Sequence, residues 1–395
     1  MSRVYLSWGM GVESTAILLR WLIDPTSRNF PLSELTVITA QTGNEHRDTK
    51  TLCEQYILPL LRADNIRLVQ VARAGRLEED GIEVLDDSHR PHTLHIEGFY
   101  KLSDELLFAG TVPQFAGVHK CALKFKGFVL NQWLAHEQPG AYRHAFGYNV
   151  EETSRISKSE YRTDQRIAFG FNSEEQHRVT RANEYSTIQR STFYPLVEWH
   201  WNREACNKFL YSTLNVSWPR SCCTFCPFAS LKGTAIERLR QQPEQLAHAL
   251  MVEYTSLCFN HRSTLYKTRS LISLIREQNN SAIDDFQQLL AQTPTAIYRV
   301  RRIMTTKGHG HRCTQQIEDK ELHQLVTQYE LKFIIQHPGD YNIETAFAIE
   351  RELDRFPTRE EFYVRAPATV ASRSRYGIPW FEAKWAAAAQ NNLFV

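Results

Sequence analysis

Two groups of residues in this 395-residue chain have types and spacings suited to chemistry. The first is Ser7-Trp8-Gly9-Met10-Gly11-Val12-Glu13-Ser14-Thr15. Hydroxyls and glycines set this closely, ahead of an apolar helical run, turn N–H and O–H groups toward an anion at a helix N-terminus. The spacing lacks the Gly-x-x-x-x-Gly-Lys-Ser/Thr of a Walker A loop. It also lacks Gly-x-Gly-x-x-Gly, because Ser14 stands where the third glycine or alanine belongs. The second group is Ser221-Cys222-Cys223-Thr224-Phe225-Cys226-Pro227. Cys223 and Cys226 are spaced to share one metal ion or cluster, and proline after the last cysteine ends many iron–sulfur ligand runs. The same pair also reads as a zinc half-site or a redox dithiol.

An anion loop needs a strand before it and a helix behind it. Val4-Tyr5-Leu6 and the apolar run Ala16 to Leu22 supply both. Leu35 to Ala40 is rich in β-branched residues, as buried parallel strands are, and runs into Gln41-Thr42-Gly43-Asn44-Glu45. A helical pattern then spans Thr49 to Leu61, and Ile66 to Val71 alternates as a third strand. This β-α-β-α-β order predicts an α/β, doubly wound, mostly parallel sheet. Ligands of such sheets bind at the carboxyl ends of the strands. Ser7 and Gln41 both end a strand, so the two loops are expected to face one crevice. Further along, Asn202 is placed to cap a helix beginning at Arg203.

Composition narrows the class. The chain is 42% hydrophobic and 23% charged, ordinary for a globular protein, and its net charge of +2 confines any nucleic-acid surface to a local patch. No apolar run reaches membrane-spanning length and the N-terminus has no signal-peptide core, so a cytoplasmic protein with no membrane partner is expected. Eight cysteines without a secretion signal point to metal or redox chemistry rather than disulfides. Cys53, Cys206 and Cys258 fall in apolar helical patterns and read as core. Cys313 reads as part of a surface loop, with a mobile sulfur carrier as the alternative.

The first loop resembles the PP-loop, Ser-x-Ser-Gly-Gly-x-Asp-Ser-Thr, of the ATP pyrophosphatases. Ser7, Gly11, Ser14 and Thr15 match, Glu13 stands for Asp, and Gly9 and Met10 depart from the pattern. Thr42, Gly43 and Thr49 resemble the Asp-Thr-Gly-x-x-x-x-x-Thr signature of phosphoadenylylsulfate (PAPS) reductase-like proteins, with Gln41 in place of Asp. Phe146-Gly147-Tyr148-Asn149 through Arg155, Tyr194-Pro195-Leu196 through Trp199, and Cys121-Ala122-Leu123-Lys124 are similar to further segments of that family. As a set they cover roughly residues 1–230.

The resemblance implies a Rossmann-like (HUP-type) domain that binds ATP and Mg²⁺ and cleaves ATP between the α and β phosphates. It implies catalytic roles for Ser7, Glu13 and Ser14. ATP contacts are implied at Ser7, Trp8, Gly9, Met10, Gly11, Ser14, Thr15, Gln41, Thr42, Gly43, Asn44, Glu45 and Gly147. Cys121, Cys223 and Cys226, with Cys222 as a candidate fourth, would ligate a [4Fe–4S] cluster, with Zn²⁺ as the alternative. Among the family's activities, DNA-backbone phosphorothioation fits the second loop best. Its partners would be a cysteine desulfurase as sulfur donor, DNA, and other subunits of a modification system. Thiolation of tRNA, a non-catalytic nucleotide-sensing subunit with structural zinc, and sulfonucleotide reduction are the alternatives. The last is disfavoured because Ala389 to Val395 contain no cysteine nucleophile.

From Leu231 the pattern turns helical, which predicts a helical C-terminal extension: a basic helical domain over 231–325 and a small unit over 326–395, after the nucleotide domain at 1–230. Arg299, Arg301 and Arg302, with Lys267 and Lys307 and interleaved Tyr266 and Tyr298, are candidates for nucleic-acid contact, as are Lys124 and Lys126. The competing reading is a charged face paired with nearby acids. Phe356 to Phe362 has the pattern of a helix start, Thr358 as N-cap and Glu361 completing a capping box. Arg365, Arg373, Arg375 and Tyr376 fall near Trp380 and Trp385, either to touch nucleic acid or to cover the domain.

Overall fold

The computed structural model describes residues 3–113, 120–137, 140–152, 190–228, 234–266, 269–276, 281–306, 309–350 and 356–390. Arg155, Lys267 and Lys307 lie outside the described residues. The chain forms two compact units, Met1–Leu102 with Gln114–Thr224, and Ser103–Pro113 with Phe225–Val395.

The first unit is built on β1 (Arg3–Ser7), β2 (Leu35–Gln41), β3 (Arg67–Arg73), β4 (Ile82–Ser88), β5 (Tyr142–Ala145) and β6 (Arg190–Phe193). They form one sheet in the order β4-β3-β2-β1-β5-β6. Every neighbouring pair is parallel except β3 with the edge strand β4. The expected α/β, mostly parallel sheet is therefore present. β2 is buried at every residue, the pattern of a strand covered on both faces. Successive side chains of β1 show the two coverings. Val4 and Leu6 join a core with Ile17 and Leu18 of α1 (Val12–Ile23) and Leu210 of the helix Arg203–Leu214. Tyr5 points the other way, 6.0 Å from the Trp133 ring and 5.3 Å from that of Tyr142. At the sheet edge, Arg67 donates to Asp87 at 2.8 Å and to Glu137 at 2.6 Å, tying β3 to β4 and to the helix Phe128–Glu137.

The second unit departs from expectation. Helices do form at Thr234–Arg240, Pro243–Phe259, Leu271–Arg276 and Ala282–Gln292. Beyond them lies a second six-stranded sheet rather than a helical extension. It comprises β7 (Thr295–Thr306), β8 (His309–Ile317), β9 (Ile334–Gln336), β10 (Ile343–Ile349), β11 (Thr358–Pro367) and β12 (Arg373–Ser374), in the order β12-β8-β7-β11-β10-β9. β7 pairs with β11 in register from Thr295↔Pro367 to Met304↔Thr358. The expected division between 325 and 326 therefore runs through one sheet. The capping-box pattern at Thr358 and Glu361 lies within β11, because its local hydrogen bonds are replaced by ladders to β7 and β10 on either side. Cys313 is also a correction: it is a β8 residue, 1% exposed, packed with Ile303 and Phe381. Cys53, Cys206 and Cys258 are buried as expected, and burial pushes the Cys206 thiol up to about 12. Among the described residues no helix is long and apolar enough to cross a membrane.

One carboxyl group lies inside the second unit. Glu253, fully buried on Pro243–Phe259, accepts from the amides of Leu265 and Leu271, both at 2.7 Å, and from Tyr341 Oη at 2.9 Å. Burial outweighs these bonds and pushes its pKa from 4.5 up to about 7. A carboxyl that holds its proton more tightly folded than unfolded contributes stability that is complete below its unfolded value and lost as pH rises through its folded value. Raising the pH from 5 to 8 is expected to lower the unfolding free energy by roughly 2–3 kcal/mol through this group. Glu253→Gln, measured by urea denaturation at both pH values, should be less stable at pH 5 and should lack this part of the pH dependence.

Candidate functional site

The sheet reverses direction at β1: the chain proceeds outward through β2 and β3 on one side and through β5 and β6 on the other. In doubly wound sheets the crevice at such a point is where ligands bind. A cavity of about 260 Å³ lies here. It is lined by Ser7, Gly9, Gly11, Val12, Glu13, Ser14, Phe146, Gly147, Tyr148, Arg203, Arg220 and Ser221.

The loop from β1 to α1 is shaped by its own polar groups. Ser14 Oγ accepts from the Gly9 amide at 3.1 Å, and the Thr15 amide donates to Gly11 O at 3.1 Å to begin the helix. Met10 adopts a φ of 59°, in the left-handed region, where the resembled pattern carries a glycine. That conformation costs a non-glycine residue about 1–2 kcal/mol. Burial of the Met10 side chain, 1% exposed, and a 3.0 Å bond from Trp218 Nε1 to its carbonyl offset the cost. Trp8 and Thr15 also turn inward, their side chains joined by a 3.0 Å bond from Trp8 Nε1 to Thr15 Oγ1. Of the loop residues expected to touch ATP, Ser7, Gly9, Gly11 and Ser14 line the cavity, whereas Trp8, Met10 and Thr15 build the layer beneath.

β5, the turn that follows it and a second helix add to the wall. His144 of β5 sets the Ser7 hydroxyl, with Nε2 2.7 Å from Ser7 Oγ. Gly147, just past β5, sits against the first turn of α1: a Cβ there would stand 3.0 Å from Ser14 N and 3.2 Å from Ser14 Cα. Arg203 begins its helix after Asn202, whose side chain accepts from the Ala205 amide at 2.9 Å, the expected cap. Arg203 Nε donates to Glu13 Oε1 at 2.6 Å, and Asn149 Nδ2 approaches the same oxygen at 3.4 Å. Glu13 is thereby held in the wall. The cavity thus joins backbone amides at the start of α1, hydroxyls of Ser7, Ser14 and Ser221, and guanidinium groups of Arg203 and Arg220. This donor set suits a polyphosphate.

The second loop reaches the cavity indirectly. Gln41, Thr42, Gly43, Asn44 and Glu45 are not among its lining. Glu45, 3% exposed, accepts from Ser221 Oγ at 2.7 Å, the Cys222 amide at 3.0 Å, the His46 amide at 3.2 Å and Thr49 Oγ1 at 3.2 Å. Burial pushes its carboxyl up, opposed by Lys126 and by these hydrogen bonds. Asn44 O accepts from the Thr224 amide at 2.9 Å, and Gln41 Nε2 faces Met10 Sδ at 3.6 Å. Gly43 has a φ of 80° and packs so closely that a Cβ would meet Lys101 Cγ at 2.6 Å.

The candidate cysteines of the first unit lie against hydroxyl and backbone groups. Cys223 Sγ lies 3.1 Å from Thr42 Oγ1, and Cys222 Sγ lies 3.8 Å from Arg220 O. Cys121 is half-buried on the short helix Lys120–Ala122, and Cys226 falls beyond Thr224, where the first unit ends. Among the described residues no three His, Cys, Asp or Glu side chains are grouped to hold a metal ion.

The basic candidates behave differently again. Lys124 is exposed and Lys126 half-buried. In the second unit Arg299 pairs with Glu361 at 2.7 Å, Arg302 with Glu360 at 2.9 Å, and Arg301 with Glu382. Much of their charge is balanced inside the sheet.

Sequence reasoning missed Arg203, Arg220 and His144. Arg203 carried a signal: a cation in the first turn of a helix opposes the helix dipole, so something anionic is needed beside it. Compared with family models, with curated proteins and with solved structures, the chain finds no match.

Gly147→Ala should push Cβ into the α1 N-terminus while leaving the core untouched. Titration calorimetry with inorganic pyrophosphate should show affinity lower by about tenfold or more, corresponding to about 1.4 kcal/mol, with an unchanged far-UV circular dichroism spectrum.

Proposed function

We propose that the first unit is a Rossmann-like nucleotide-binding domain and that the chain is an ATP pyrophosphatase, cleaving MgATP to AMP and pyrophosphate. The observation that carries this reading is the cavity at the sheet reversal, where the α1 N-terminus, Ser7, Ser14, Arg203 and Arg220 converge. Such a set neutralises charge on a leaving pyrophosphate, and catalysis would consist mainly of positioning and electrostatic stabilisation. Mg²⁺ would arrive on the substrate's phosphates, since Glu13, the carboxylate in the cavity lining, is engaged by Arg203. An acceptor oxygen would attack the α-phosphorus and expel pyrophosphate, leaving an adenylate that a sulfur nucleophile displaces with release of AMP.

The acceptor belongs to the same proposal. The resemblance of the two loops supports sulfur insertion into nucleic acid, the DNA backbone first and a tRNA base second, with a cysteine desulfurase supplying the sulfur. No step here runs through an iron–sulfur cluster or zinc ion. The engagement of Glu13 favours a second reading as well, a subunit that binds the nucleotide without cleaving it.

Ser14→Ala removes the hydroxyl that both holds the Gly9 amide and faces the cavity. Pyrophosphate release from ATP, followed by a coupled phosphate assay, should fall by about a hundredfold or more. An unchanged rate would overturn the pyrophosphatase assignment. ATP binding by the native chain with no AMP formed in the presence of DNA or tRNA would favour the second reading.

A further inference from the structure

In the second unit the C-terminal helix Ile378–Gln390 lies over one face of the antiparallel sheet, where Phe381 and Ala388 pack with Ile303 and Cys313. Trp380 is half-buried at the margin of that contact. Around it gather two more rings. The His311 ring is 4.7 Å from that of Trp380 and the Tyr376 ring is 4.8 Å from it, with His311 and Tyr376 5.6 Å apart. Exposed cations border the group: Arg375 lies 5.1 Å from the Tyr376 ring centre and Lys384 5.9 Å from that of Trp380. Arg373 is exposed two residues before Arg375.

These cations differ from the arginines of β7. Arg299, Arg301 and Arg302 each have a glutamate partner. Arg373, Arg375 and Lys384 form no ion pair among the described residues, and Glu382, on the same helix as Lys384, is taken by Arg301. Burial, followed by the charges of Arg375 and Lys384, pushes the His311 pKa down. With a whole-chain charge of only +2, this concentration is local.

We propose that the patch formed by His311, Tyr376 and Trp380 with Arg373, Arg375 and Lys384 binds single-stranded nucleic acid, bases against the rings and phosphates against the cations. Half-buried rings set among unpaired cations supply the two components of single-strand binding, stacking and phosphate attraction. A duplex keeps its base faces stacked inside and would use only the cations. An anionic bilayer calls for a broad apolar face, and Ile378, 37% exposed, is the one large aliphatic side chain exposed on this helix among the described residues. The inference concerns binding and stands apart from ATP cleavage in the cavity.

The test uses the full chain and fluorescence anisotropy with a short fluorescein-labelled DNA strand of mixed sequence, the same sequence as RNA, and the DNA duplex. Arg375→Glu combined with Lys384→Glu should weaken binding of the preferred single strand by at least about tenfold and flatten the dependence of log affinity on log salt by about 1.4, for two lost phosphate contacts. Trp380→Ala should weaken single-strand binding by about tenfold and leave duplex binding unchanged. Since Trp380 also packs against the core of Ile303, Cys313, Phe381 and Ala388, the exposed charge variants test the proposal without touching that core. Unchanged single-strand affinity in the charge variants overturns it, as does equal loss of duplex binding in Trp380→Ala. Binding of phosphatidylserine vesicles without binding of either single strand also overturns it. Pyrophosphate release is measured separately, so failure here and failure of the cavity assignment are distinguishable.

Discussion

The cavity depends on how one buried carboxylate is satisfied. Glu45 lies at the end of the loop after β2, 3% exposed, where an uncompensated charge would cost several kcal/mol. Hydrogen-bond donors reach it from nearby and from far along the chain. The His46 amide and Thr49 hydroxyl are local, whereas the Ser221 hydroxyl and Cys222 amide lie 176 and 177 residues away. Satisfying Glu45 therefore fixes the segment around Ser221 against the β2 loop. Ser221 and Arg220 then stand in the cavity wall, and Cys223 is delivered to the Thr42 hydroxyl. The second loop builds the site by holding a third segment in place.

The first loop shows a related exchange between strain and packing. Its left-handed residue is methionine rather than glycine, and that cost is offset because Met10 fills the core while its carbonyl is taken by Trp218. Glu13 shows the electrostatic counterpart. An acid in the first turn favours the α1 dipole, while Arg203 opposes the dipole of its own helix, and joining the two satisfies both helix ends. Ser7, Ser14, Arg220 and Ser221 share the cavity lining with this pair.

In the second unit, opposite charges are paired across strands. Arg299 and Arg302 of β7 meet Glu361 and Glu360 of β11, as cross-strand neighbours in a sheet do. A run that reads as basic along the sequence is thus largely neutral in space. At the margin of the C-terminal helix, around Tyr376 and Trp380, the cations Arg373, Arg375 and Lys384 form no ion pair among the described residues.

The local features were legible in the residues themselves. β2 declared itself by a continuous β-branched run, the β1–α1 turn by its glycines and hydroxyls, the Asn202 cap by its side chain, and Cys53, Cys206 and Cys258 by apolar helical spacing. Each depends on interactions within a few residues, which sequence order preserves. The second sheet was not legible, because Thr358 and Glu361 satisfy a local capping pattern while the ladders that make β11 a strand come from β7 and β10. Nor was the cavity wall, since His144, Arg203 and Arg220 meet Ser7 and Glu13 only after the chain has crossed the sheet. The sequence by itself determined that a turn of glycines and hydroxyls opens a mostly parallel α/β sheet. Tertiary structure decided which residues line the cavity and which charges cancel, because those outcomes depend on proximity between segments far apart in the chain.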